Sequence, residues 1–193
     1  GRAIVWIDGG LHATETLGAQ QLMELVYQMV NRSDRETLRF LSDVILLAVC
    51  TNPDGLDLVA DWYMRAPESS KRTTRGLPRL YHKYVGHDNN RDWFMFTQRE
   101  TRLALDIHRE LKPQITHDMH QMGTRGARIF VPPFRDPYDP NIHPILIEGQ
   151  AQIGTAMASA LVSKGKKGII YNDYYDLWTP ARQYMLYHGQ PRI

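Results

Sequence analysis

The chain has 193 residues, 42% of them hydrophobic and 23% charged, enough apolar material for one sizeable core and enough charge to cover it. A formal net charge of +2, with Lys and Arg scattered rather than massed, argues against a nucleic-acid or membrane-surface partner. The longest apolar run, Val44 to Cys50, is far shorter than a bilayer span, and the single cysteine in it excludes an internal disulfide and reads as a core thiol.

Ala3 to Ile7 is a continuous apolar run of the kind found in a strand buried on both faces, followed by two glycines and the stretch LHATE. Leu22, Leu25, Val26, Met29 and Val30 recur at helical spacing. A short helical piece around Leu38 and Leu41 then leads into a strand, Val44 to Cys50. Thr51-Asn52-Pro53-Asp54-Gly55 reads as a tight turn, because Pro presets one torsion and Gly permits the left-handed conformation. Arg65 to Asn90 is polar and rich in Pro, Gly and Arg, and reads as a long surface loop.

Thr97 with Glu100 forms a capping-box pattern for a helix running to about Leu111, and Pro113 breaks it before a strand from Gln114 to His120. A short strand, Ala127 to Val131, precedes a proline-rich loop from Pro132 to Pro144. Ile145 to Val162 is a long helix that stops near Gly165, and Gly168 to Tyr171 is a further strand. Thr179 and Pro180 open a final helix ending at Gly189, and Arg192-Ile193 reads as the beginning of another strand. Strands alternating with helices predict an α/β fold: a mostly parallel or mixed twisted sheet with helices on both faces. In such sheets functional side chains gather just beyond the carboxyl ends of the strands, where LHATE, TNPDG and HDMHQ all lie.

Taken alone, LHATE reads as a helix start, with Thr14 or Thr16 as cap and Glu15 near the positive end of the dipole. It also offers two of the three protein ligands, commonly two histidines and a carboxylate, that hold a catalytic zinc. The third could come from His117 or His120 of ITHDMHQ, which alternate across the sheet, and Asp118 shares a face with His120.

Four motifs in order, HATE, TNPDG, GHDNNRDW and HDMHQ, resemble the zinc carboxypeptidases of the carboxypeptidase A type. The resemblance covers nearly the whole chain, as a single catalytic domain over residues 1–193 that is incomplete at both ends. It implies one Zn²⁺ held by His12, Glu15 and His120, with Asp88 orienting His12 from behind. It implies that Asn90 and Arg91 bind the terminal carboxylate of a peptide substrate, for which a guanidinium fork is suited. It further implies an arginine that stabilises the developing oxyanion, expected at Arg65, with Arg72 and Arg75 as alternatives. The function so implied is hydrolysis of C-terminal peptide bonds by a zinc-activated water. A related zinc amidohydrolase acting on acylated amino acids, or a non-catalytic peptide-binding module, are the alternatives. A general-base glutamate is expected on a late strand beyond Ile193, since the sole Glu after His120 is Glu148, within an apolar helix. Tyr174 or Tyr175 is a candidate to close over substrate, and an exported, periplasmic or secreted location is expected by analogy with such peptidases.

Overall fold

The computed structural model describes residues 1–78 and 82–175. The sequence expectations for Thr179 to Ile193 lie outside the described residues.

Strand β1 (Ala3–Gly9) lies between β2 (Val44–Cys50) and β3 (Ile115–Met119), and both pairings are parallel. Ala3 is in register with Val44, and Val5 with Ile115. A second sheet pairs β4 (Ile129–Phe130) with β5 (Ile169–Ile170), also in parallel. The α/β architecture expected from the apolar runs is the one observed, and its strands run parallel because helical crossovers separate them.

Helices α1 (Thr16–Asn31) and α2 (Arg35–Asp43) connect β1 to β2. Side chains alternate across a strand, so β1 presents Val5, Ile7 and Gly9 to one side and Trp6 and Asp8 to the other. Helix α1 packs on the first side, where a Cβ on Gly9 would come within 2.7 Å of the Gly18 carbonyl oxygen. Glycine at both positions therefore lets strand and helix backbones meet. On the other side the Trp6 ring packs, tilted, 4.2 Å from that of His108 of α4 (Arg99–Leu111), so helices cover both faces. The first half of α1 is docked most deeply: Gly18, Ala19 and Leu22 are buried and Leu25 and Met29 half-buried, whereas Val26 and Val30, expected on the apolar face, are 44% and 73% exposed. Cys50 is likewise exposed rather than buried, because among the described residues β2 is an edge of its sheet.

TNPDG is not a free turn but the start of α3 (Pro53–Met64). The Asn52 side chain accepts from the Gly55 N–H, and Pro53, which has no N–H to leave unsatisfied, occupies the first turn. The capping box expected at Thr97 is replaced by Asp92. This fully buried carboxylate accepts from the N–H groups of Thr97 and Gln98 ahead of α4 and from the Thr97 hydroxyl.

Helix α5 (Pro144–Ser163), with mean hydropathy 1.2, is long and apolar enough by length and composition to cross a bilayer, which the shorter run in β2 did not suggest. Here it is docked on the protein: Gln150 is fully buried, and a Cβ on Gly154 would meet the Pro132 carbonyl oxygen at 1.9 Å.

Candidate metal centre

Beyond Gly9 the chain turns through Gly10, whose φ of +77° suits glycine, and carries Leu11 to Glu15 across the carboxyl edge of the sheet. Two buried asparagines pin this turn. Asn52 and Asn89 each donate a side-chain N–H to the Leu11 carbonyl, at 2.9 and 2.8 Å. Leu11 packs on Trp93 and Ala104 beneath. Neither asparagine was singled out from the sequence as a support of the site; the signal available was only that each lies within a motif of unusual polarity.

Glu15 occupies the N-cap position of α1, yet its carboxylate caps no backbone N–H of that helix. Instead Oε1 lies 3.0 Å from His12 Nδ1, and Oε2 lies 3.0 Å from His120 Nδ1 and accepts from the Gln121 N–H at 2.9 Å. Burial alone would raise the Glu15 pKa, but the hydrogen bonds from His12, His120 and Gln121 bring it down from 4.5 to about 2. The carboxylate is thus ionised in any near-neutral solution, as a ligand must be.

His120 stands one residue past the end of β3, and its ring lies 4.8 Å from that of His12. One ligand atom from each of His12, Glu15 and His120 falls within 4.8 Å of the others. Two imidazole nitrogens and a carboxylate are the donor set of many catalytic zinc sites, so these residues fit such an ion. His117, the alternative, points to the other side of the sheet, where burial lowers its pKa.

The short 3₁₀ turn Asn89–Arg91 brings up the other residues of GHDNNRDW. Asp88 Oδ1 lies 3.1 Å from His12 Nε2, the nitrogen remote from Glu15. Arg91 is 29% exposed; it donates from Nη1 to the Asn90 carbonyl at 2.8 Å and lies 4.0 Å from Asp88 Oδ2. Asn90, expected beside Arg91 at a substrate carboxylate, is 4% exposed and directs its amide inward to His120 and Trp93.

The structure does not bring Arg65 to this cluster. It is the C-cap of α3, at the opposite end of that helix from Asn52, stacked 3.4 Å over Trp62 and donating to the Trp62 carbonyl. Arg72 gives its guanidinium to the carbonyls of Ala66 and Pro67, and the Arg75 carbonyl accepts from the Trp62 indole, so this whole segment folds about Trp62. Glu148 is exposed in the second turn of α5. Next to His120 and Asp118 opens a cavity of about 670 Å³, walled by Phe130, Pro132 and Phe134 and by Tyr174 and Tyr175. Tyr175 stacks on Phe134 at 4.5 Å, which gives it a packing role in this wall.

A family model for zinc carboxypeptidases matches residues 1–124, the stretch that contains every member of the cluster. Among curated proteins none matches. Of the solved structures, a protein assigned as a carboxypeptidase A from Shewanella denitrificans OS-217 aligns with a TM-score of 0.64 at 19% identity, over 96% of this chain and 43% of its own. The carboxypeptidase A of Helicoverpa armigera aligns with a TM-score of 0.57 at 14% identity, over 95% of this chain and 49% of its own. The chain thus spans less than half the length of either protein, and at these identities the likeness is one of fold.

Proposed function

This chain belongs to the zinc carboxypeptidase family, and on that premise we propose that the protein is a zinc-dependent carboxypeptidase acting on peptides with a free terminal carboxylate. The observation that carries this reading is the convergence of His12, Glu15 and His120, with Glu15 and His120 meeting from 105 residues apart in the sequence. A conjunction that depends on the register of β1 and β3 is not a by-product of local sequence.

In this reading His12, Glu15 and His120 hold one Zn²⁺, which when bound supplies Lewis acidity toward a carbonyl oxygen and toward water. Asp88 orients the His12 ring, leaving Nδ1 aimed at the site. Ionised Glu15 supplies negative charge and, through Oε2, holds the start of the segment after β3 by the Gln121 N–H. Arg91, partly exposed beside the cluster, receives the substrate carboxylate in a charge-assisted hydrogen bond. The aromatic-walled cavity beside His120 is where substrate side chains reach.

The test is turnover, by the zinc-loaded whole protein, of an amino-blocked dipeptide with a free carboxyl and of the same dipeptide as its amide. Cleavage of the acid with little or none of the amide supports a carboxypeptidase. Equal turnover sinks carboxylate recognition and favours a less selective amidohydrolase; tight binding without turnover favours a peptide-binding module.

A further inference from the structure

The cavity beside His120 has a mostly apolar wall with one arginine in it. Apart from His120, the residues of that wall that carry charge are Asp118 and Arg128, among the described residues. Asp118 is engaged, with Oδ2 3.2 Å from His120 Nε2. Arg128 is not: among the described residues its side chain meets no carboxylate, donates to no carbonyl and stacks on no ring. Other arginines do stack; Arg135 lies 4.5 Å over the Tyr174 ring. The second sheet sets the place of Arg128, which immediately precedes β4 and continues its ladder, its N–H donating to the Gly168 carbonyl at 2.7 Å. Side chains alternate along an extended strand, so Arg128 shares a face with Phe130, and both stand in the cavity wall. Gly168, at φ +81°, leaves room for the aliphatic stem, since a Cβ there would come within 2.8 Å of Arg128 Cγ. The base of the side chain is held against the entry to β5, and the residue stays exposed to an incoming ligand.

A guanidinium carries a permanent charge and five N–H donors in a fork that matches a carboxylate. Set in a mostly apolar wall without a counter-ion, it is half of an ion pair. We propose that this cavity selects peptides whose terminal residue has a carboxylate side chain, and that Arg128 is the residue that reads it. The inference rests on the carboxypeptidase reading above and names the substrate class of that site. Two carboxylates then meet two cations: Arg91 takes the main-chain carboxylate and Arg128 that of the side chain. The aromatic residues of the wall, acting alone, would favour an aromatic or aliphatic terminus and would not tell glutamate from its uncharged isostere glutamine.

The experiment compares amino-blocked dipeptides that differ only in their terminal residue: glutamate, glutamine, phenylalanine or lysine. Turnover is measured as kcat/KM on the zinc-loaded whole protein, and affinity by calorimetry on the zinc-free protein, where nothing is cleaved. Wild type is expected to prefer glutamate to glutamine by at least about tenfold, the worth of a charge-assisted hydrogen bond. Arg128→Gln is expected to bring that ratio to within about threefold of unity, and Arg128→Glu to turn the preference toward lysine. A merely structural role for Arg128 would lower all four substrates alike and leave the ratio where it was. Should Arg128→Gln fail to fold, judged by its thermal midpoint, the wild-type ratio decides. It is expected to shrink at least about threefold as ionic strength rises from about 0.01 M to about 1 M, and a ratio independent of salt overturns the proposal. Equal handling of glutamate and glutamine by wild type, or a ratio kept by folded Arg128→Gln, also overturns it and leaves the carboxypeptidase reading in place. Wild type that neither cleaves nor binds any of the four overturns that reading, and this proposal with it.

Discussion

His12 Nε2 and Asp88 Oδ1 stand 3.1 Å apart, across the imidazole from the nitrogen that meets Glu15. Asp88 also accepts the Asn90 N–H, so the carboxylate is itself held in place. A ring fixed from behind in this way presents one nitrogen to a metal without spending binding energy on orientation. Asp88→Ala is expected to lower zinc affinity about 10- to 100-fold with little change in thermal midpoint, and Asp88→Asn, which keeps an acceptor oxygen, by less. Chelator competition on the purified variants measures both.

The two histidines of β3 and its end separate cleanly by position. His120→Ala and His12→Ala are expected to remove stoichiometric zinc, whereas His117→Ala, altering a half-buried side chain on the far side of the sheet, should retain it at some cost in stability. Elemental analysis after dialysis is the measurement; zinc lost from His117→Ala alone would overturn the ligand set.

Arg91 engages its carbonyl and carboxylate neighbours through Nη1 only, among the described residues. A charge-assisted hydrogen bond to a substrate carboxylate contributes about 1.5–3 kcal/mol, so Arg91→Gln should raise KM for a free-carboxyl dipeptide about 10- to 100-fold while leaving zinc content intact. Arg91→Lys keeps the charge and loses the fork, and should recover part of the affinity. Steady-state kinetics on the whole protein distinguish the three.

Acid stability should report the cap of α2. Hydrogen bonds from the Thr37 N–H and hydroxyl, aided by Arg32, lower the Asp34 pKa from 3.8 to about 2. A carboxyl depressed in the folded state stabilises above its unfolded pKa and loses that contribution as pH falls through the folded one. Asp34→Asn remains a competent cap without a charge. The thermal midpoint of wild type relative to this variant should therefore decline between about pH 5 and pH 2, and a constant difference would contradict the assignment.

Much of the fold was legible because strand and helix periodicities are local properties. The apolar runs at Ala3 to Ile7 and Val44 to Cys50 announced parallel strands, and both are seen. Less legible were the helix starts. TNPDG carries the residues of a turn and of an N-cap alike, and only the continuation LDLVADWYM into a packed helix decides between them. At Thr97 the capping pattern was present, but a buried carboxylate five residues earlier took the N–H groups instead.

For the site, the chain by itself determined which residue types were present and, through four ordered motifs, which family they resemble. It did not determine what each side chain faces. His117 and His120 differ by three positions, and the pleat of β3 together with the end of that strand puts one behind the sheet and the other at its edge. Asn90 and Arg91 are adjacent in sequence, yet one turn of 3₁₀ helix buries the first against His120 and Trp93 and leaves the second partly exposed. Arg65, chosen by its distance after TNPDG, was carried by α3 to the end remote from Asn52, because a helix converts twelve residues into about 18 Å of separation. Contacts across the sheet depend on strand register and helix direction, which are set by long-range packing, and only the tertiary structure could decide them.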